Sequence, residues 1–132
     1  MVELPLLQPP PILRANSPSF GQNLDCQKCS LHSTTTHVGI PTRRIGPITG
    51  CPIAVLAVGE RPGSEEDRLN TTMVGKAGQW FEKIYLKATK LDGLADWYVS
   101  NAVRCKPPRE ATITIGQFKA CKEYLEADLA KL

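Results

Sequence analysis

The chain has 132 residues, 42% of them apolar, and a formal net charge of +3. That length suits one small domain with a modest core, which a bound metal would help to hold. No apolar run reaches the eighteen residues a membrane span needs, Met1-Val2-Glu3-Leu4-Pro5 lacks the pattern of a signal peptide, and the mild positive charge permits nucleic-acid binding without establishing it. The expected setting is the cytoplasm, where thiols stay reduced, with no membrane involved.

Residues 1–22 carry Pro5, Pro9, Pro10, Pro11 and Pro18. Proline at this density blocks helix and sheet, so an extended arm is expected, ordered only against a partner protein. The domain proper is expected over 23–132. Residues 30–51, rich in Thr, Gly and Pro, read as loop. Within that stretch Arg43-Arg44 is too short for a basic patch, and Cys51 reads as a small half-buried residue at a strand entrance. Ile53-Ala54-Val55-Leu56-Ala57-Val58 is an unbroken apolar run between Pro52 and Gly59, which predicts a strand buried on both faces. After a loop over 59–74, Ala77, Trp80, Phe81, Ile84, Tyr85, Ala88 and Leu91 recur at helical spacing. They predict a helix over 76–90 with Trp80 and Phe81 in the core and Lys83, Lys87 and Lys90 on the wet face. Residues 97–103 predict a second strand, completing a βαβ unit. Beyond Pro107-Pro108, Thr114-x-x-Gln117 reads as a capping box opening a last helix whose apolar face is Phe118, Cys121, Leu125 and Leu129. The fold class expected is α/β: a short parallel sheet with flanking helices, too narrow with two strands to cover its own core.

Four cysteines dominate the chemistry. Cys26-x-x-Cys29 lies in the early loop, Cys105 just after the second strand, and Cys121, with fifteen residues between, in the last helix. Two thiolates spaced two apart grip one centre from a single turn; the other pair reaches it only through folding. Four thiolates suit zinc or a [4Fe-4S] cluster equally by ligand type. Zinc ribbons show two short knuckles, and the split second pair leans towards iron–sulfur. Unliganded core thiols are the third reading.

The segment Gly59-Glu60-Arg61-Pro62-Gly63-Ser64-Glu65-Glu66-Asp67-Arg68, then Val74-Gly75-Lys76-Ala77-Gly78-Gln79, then Asn101-Ala102-Val103-Arg104-Cys105-Lys106-Pro107-Pro108, together with the cysteine spacing, closely resembles the family 4 uracil-DNA glycosylases, the iron–sulfur branch of that superfamily. The match runs over about residues 24–131. The resemblance implies a [4Fe-4S] cluster on Cys26, Cys29, Cys105 and Cys121, and a partial three-layer glycosylase-like fold. A glycosylase takes uracil out of the stack into a pocket and stabilises the departing base and the sugar cation. By resemblance the acidic role beside the sugar falls on Glu66, with Glu60 in the pocket loop. Gly59, Arg61, Pro62 and Gly63 supply the base-binding loop, and Asn101 reads the uracil edge with an amide that both donates and accepts.

Two departures from the family pattern shape the functional expectation. Where the family places a phenylalanine that stacks on uracil, this chain has Met73, which gives up much of a stacking interaction of about 1–3 kcal/mol per base. The family also continues with two further strands and a late loop bearing a catalytic histidine; His32 and His37 lie in the wrong region to replace it. The resemblance therefore implies a truncated half of the fold with a vestigial pocket. On this basis the expected function is a non-catalytic accessory that binds DNA or a larger assembly, such as replication or virion machinery, with a partner protein covering the open sheet edge. The alternatives are an active glycosylase completed by a missing segment or second chain, and a zinc-bound structural module. Without the resemblance, Glu60, Glu65, Glu66 and Asp67 read as a solvated acidic loop, and Asn101 as a strand terminus. Lys76, Arg104, Lys106 and Arg109 surround the strand ends as candidate phosphate contacts.

Overall fold

The computed structural model describes residues 19–109 and 111–132. Most of the expected proline-rich arm, residues 1–18, lies outside the described residues. At its end, Ser19–Phe20 forms strand β1 and joins the sheet of this chain.

Four strands lie in the order β1-β2-β4-β3. β4 (Asp96–Asn101) is central; β3 (Ala54–Gly59) runs parallel to it, with Val55 opposite Trp97 and Gly59 opposite Asn101. On its other side β2 (Thr42–Ile45) runs antiparallel, with Arg43 opposite Val99, and β1 pairs in turn with β2. The expected parallel pair is therefore present, but the sheet is mixed and twice as wide as predicted. The loop expected over 30–51 is corrected at two points, a 3-10 turn at Ser30–Ser33 and strand β2. Thr-Arg-Arg-Ile carries no apolar run, so its strand character comes from pairing with β4.

β3 is not buried on both faces. Ile53 and Val58 are about half exposed, at 55% and 48%, because β3 is an edge strand with no neighbour on its outer side among the described residues.

The crossover from β3 to β4 contains a helix the sequence did not announce, α1 (Ser64–Leu69), and then the expected long helix α2. α2 opens as Lys76–Trp80, passes through a π-helical turn at Phe81–Tyr85 and closes as Leu86–Ala88. The wider turn shifts the phase of everything after it. Trp80, expected in the core, is 53% exposed, and Ile84 and Tyr85 are also exposed; Leu86 is buried instead, beside Ile45 and Val99. Phe81 is half-buried and packs edge-on to Trp97.

α3 (Ile115–Ala130) begins at the predicted capping box: Thr114 Oγ1 accepts from Gln117 N at 3.1 Å, and Gln117 Oε1 accepts from Thr114 N at 2.9 Å. Leu129, expected on its apolar face, is exposed, and Asp128 is buried instead. A second core cluster of Leu31, Val103, Cys105, Ile113 and Cys121 lies beyond the C-terminal end of β4. Among the described residues no helix is long and apolar enough to cross a membrane.

Candidate functional site

Two neighbouring constructions emerge at the C-terminal ends of the parallel strands, where open α/β sheets bind ligands. The first is built of sulfur. Cys105 follows β4, Cys121 sits in the second turn of α3, and both are at least 94% buried, at 6% and 5% exposure. Cys29 packs against the same cluster. All five cysteines, including the half-buried Cys51 whose thiol donates to Leu94 O, are free thiols. Burial pushes the Cys105 thiol up to about 11, opposed by the Gly39 N–H that donates to its Sγ at 3.4 Å and reinforced by Cys121, Cys29 and Cys26. Burial likewise raises Cys121, against a backbone N–H from Arg104, with Cys29 and Cys26 adding to the rise. Tyr124 is pushed up to about 12 chiefly by its hydrogen bond with Cys26. The four predicted ligands thus stand within electrostatic reach of one another.

The Cys26–Cys29 knuckle is fastened to α3 from outside. Lys28, between the two cysteines, pairs with Glu123 and places its ammonium 4.9 Å from the centre of the Tyr124 ring. Beneath, Asp128 forms a buried ion pair with Arg104 at 2.6 Å and accepts from Thr42 Oγ1 at 2.7 Å. Arg104 was a candidate phosphate contact; at 1% exposure it reaches no ligand, and it serves instead to bind α3 to the end of β4 and to β2. Among the described residues, no group of three or more His, Cys, Asp or Glu side chains is arranged to hold a metal ion.

The second construction is a cleft of about 300 Å³, at the small end for ligand sites and suited to one ring-sized group. The loop after β3 contributes Gly59, Glu60, Arg61 and Gly63 to its wall; α1 contributes Glu66; the following turn contributes Met73 and Gly75; and α2 brings Lys76 to Gly78. Asn101 closes it from the end of β4. Pro62 does not line the cleft but is buried beneath its loop. Asn101 ends its strand, as the plainer reading held, and is also 5% exposed with its amide against Gly59: a Cβ there would lie 2.6 Å from Asn101 Oδ1. Gly78 is required in the same way, since a Cβ would lie 2.1 Å from Met73 O. Met73 itself sits in the left-handed region at φ 61°, its carbonyl accepting from Arg43.

Glu66 holds the cleft together. One carboxylate oxygen accepts from Gly63 N at 3.0 Å and the other from Gly75 N at 2.6 Å, so one side chain fixes both loops. The acidic run is not uniformly solvated. Glu65 is exposed and pairs with Arg68, whereas Asp67 is 5% exposed and accepts from Thr35 Oγ1, Thr36 N and His37 N at 2.8–2.9 Å. Burial raises the Asp67 carboxyl, but these bonds outweigh it and hold the group below its ordinary value. Sequence reasoning missed Asp67, Arg104 and Asp128 as structural residues. The available signal was the threonine run 34–36, whose hydroxyls and amides need a buried acceptor. Lys76 is exposed at the cleft and Arg109 is exposed on the surface, while Lys106 is half-buried and donates to Pro107 O at 3.2 Å.

Against this geometry, comparison with known proteins is direct. A family model described as the uracil DNA glycosylase superfamily matches residues 49–132. The type-4 uracil-DNA glycosylase of Thermotoga maritima is 30% identical over 106 residues, covering 79% of this chain and 50% of that protein. Those of Archaeoglobus fulgidus and Pyrobaculum aerophilum are 30% and 31% identical, over 80% and 76% of this chain and 49% and 47% of theirs. The chain thus spans about half the length of the curated relatives it matches. The matched region contains β3, the cleft and β4, and with it the chain belongs to the uracil DNA glycosylase superfamily.

Proposed function

We propose that this chain is the uracil-recognising part of an iron–sulfur protein of the type-4 glycosylase kind, one that receives an extruded uracil from DNA in the cleft between the β3 loop and Asn101. One observation carries the reading: Glu60, Glu66 and Met73, from the stretch 59–78, line a single cleft with Asn101 from the end of β4. A vestigial site has no need of a carboxylate that bonds two loop amides, or of a glycine that makes room for the Asn101 amide.

In this reading Asn101 offers a donor and an acceptor to the base edge, which excludes bases of the opposite pattern. Glu66 keeps the Gly63 and Gly75 loops at a fixed separation so that the cleft meets the base preorganised. The Met73 thioether pads one face, and Lys76 and Arg109 stand exposed for backbone phosphates. The four cysteines would hold a [4Fe-4S] cluster, which supplies no chemistry to the base and acts as a structural clamp between the early loop and α3. The cysteine spacing supports it over zinc: zinc ribbons use two short Cys-x-x-Cys knuckles, whereas here Cys105 and Cys121 are far apart in the chain. The N–H groups of Gly39 and Arg104 directed at Cys105 and Cys121 suit ligating thiolates.

Binding without excision, as an accessory within a larger DNA-processing assembly, is the reading that Met73 supports, and the half-exposed Ile53 and Val58 on the outer side of β3 are the surface a partner would cover. Excision by an active glycosylase completed through a further segment or second chain is the reading that Glu66 and Asn101 support. Titrating the anaerobically prepared chain with a fluorescent oligonucleotide carrying uracil or thymine tests the proposal. Preference for uracil, lost in Asn101→Ala, is expected; equal affinity for the two oligonucleotides sinks it. Abasic sites formed on the uracil strand decide for excision, and iron and zinc content with visible absorbance decide the metal.

A further inference from the structure

The thiol centre and the cleft are not independent, and the connection between them runs through Asp67. This residue follows Glu66 directly on α1, yet its carboxylate points away from the cleft into the segment that follows the Cys26–Cys29 knuckle. Oδ1 accepts from Thr35 Oγ1 at 2.8 Å and from His37 N at 2.8 Å; Oδ2 accepts from Thr36 N at 2.9 Å. The ring of His37 also bonds the Asp67 carbonyl through Nδ1. Thr35 carries the connection onwards, since its hydroxyl accepts from Lys106 N at 3.1 Å, and Lys106 adjoins Cys105. The segment 35–37, which follows the knuckle after one 3-10 turn, and Lys106, which adjoins Cys105, are thereby joined to one buried carboxylate. The residue before that carboxylate fixes Gly63 and Gly75.

We infer that Asp67 is a positioning residue that couples occupancy of the thiol centre to the shape of the base cleft, so that the cleft is ordered only when the cysteine-bearing segments are. The inference rests on the proposed function for the identity of both sites. The physical basis is that α1 has only six residues, Ser64–Leu69, too short to hold its own orientation in water. Its placement comes from what Asp67 and Glu66 bond on its two sides. Free ends at 35–37 would release α1, and Glu66 would then lose its grip on both loop amides. Couplings of this kind typically amount to about 5–150-fold in affinity.

The test is amide hydrogen exchange at Gly63 and Gly75, together with iron content and uracil-oligonucleotide affinity. It uses the chain after anaerobic iron–sulfur reconstitution and again after iron is stripped with a chelator. In the native chain, stripping is expected to speed exchange at these two amides and weaken binding, each by about tenfold. Asp67→Asn, which presents an amide donor where three donors already point, is expected to give the same change while keeping its iron, and stripping the variant then adds nothing. Thr35→Val, which removes the hydroxyl that donates to Asp67 and accepts from Lys106 N but leaves the Thr36 and His37 amides on the carboxylate, gives an intermediate change and serves if Asp67→Asn fails to fold. Native exchange rates in an iron-loaded variant overturn the coupling, as does an equal response to stripping in the native chain and the variant. A chain that takes up no iron sinks the reading of the thiol centre. A chain that binds no uracil sinks the reading of the cleft, while the exchange rates still decide the coupling.

Discussion

At the thiol centre, side chains arrive from three distant stretches of chain and meet in a buried cluster with Leu31, Val103 and Ile113. At the base cleft, most of the wall is backbone from one continuous stretch, 59–78, completed by Asn101 and held by the Glu66 carboxylate. The first is secured by burial and by the Arg104–Asp128 pair under it; the second by a few main-chain hydrogen bonds near solvent. Damage at the thiol centre should therefore appear as lost stability, and damage at the cleft as lost recognition in a protein that stays folded.

The sharpest challenge to this contrast is Cys121→Ser. In the proposed cluster it removes a ligand, and because metal binding contributes directly to folding, we expect iron loss and destabilisation of about 5 kcal/mol, read by iron assay and urea unfolding. Retention of both iron and stability would remove Cys121 from the ligand set. Next is Asp128→Ala, which leaves Arg104 buried without its carboxylate and Thr42 without its acceptor; the expected cost is about 3–5 kcal/mol in urea. Arg104 would keep only neutral acceptors, the Gly21 carbonyl at 3.4 Å and the Thr42 hydroxyl at 3.2 Å.

On the cleft side the expected effects are smaller. Glu66→Gln turns one of two acceptors into a donor facing a loop amide, at about 1–3 kcal/mol, and should weaken uracil binding while the unfolding midpoint moves less than in Asp128→Ala. Met73→Phe keeps the residue count and the left-handed backbone while restoring a ring; tighter binding of a uracil oligonucleotide by about 1 kcal/mol is expected in anisotropy titrations. Unchanged affinity would show that this position does not meet the base. The smallest effect is with pH. Asp67 lies below its ordinary value of 3.8 in the folded chain, so its contribution is fully present above that pH and is lost as pH falls through the lowered value. Asp96, lowered chiefly by the Thr49 N–H, acts in the same sense. Stability measured between pH 5 and pH 2 should fall less steeply in Asp67→Asn than in the native chain.

Much of this molecule was legible from residue order alone. The parallel pair β3 and β4 and the capping box at Thr114 follow from local pattern, apolar runs and cap chemistry; the residues of the cleft were named by family resemblance, since no periodicity or spacing marks Glu60, Glu66, Met73 and Asn101 as neighbours. What escaped is what no local pattern encodes. Thr42–Ile45 is a strand because β4 offers it a ladder, although two of its four side chains are arginines. Ile84 and Tyr85 face outwards and Leu86 inwards because a π turn at Phe81–Tyr85 changes the helical count. Arg104, Asp67 and Asp128 look like surface charges in sequence and are among the most buried polar residues in the fold. A charge enters a core only when a partner waits there, and here the buried partners are distant in the chain: Thr35 for Asp67, and Thr42 and Arg104 for Asp128. Residue order determined which groups were available for chemistry; tertiary structure decided which became ligands, which became walls and which became the ties between them.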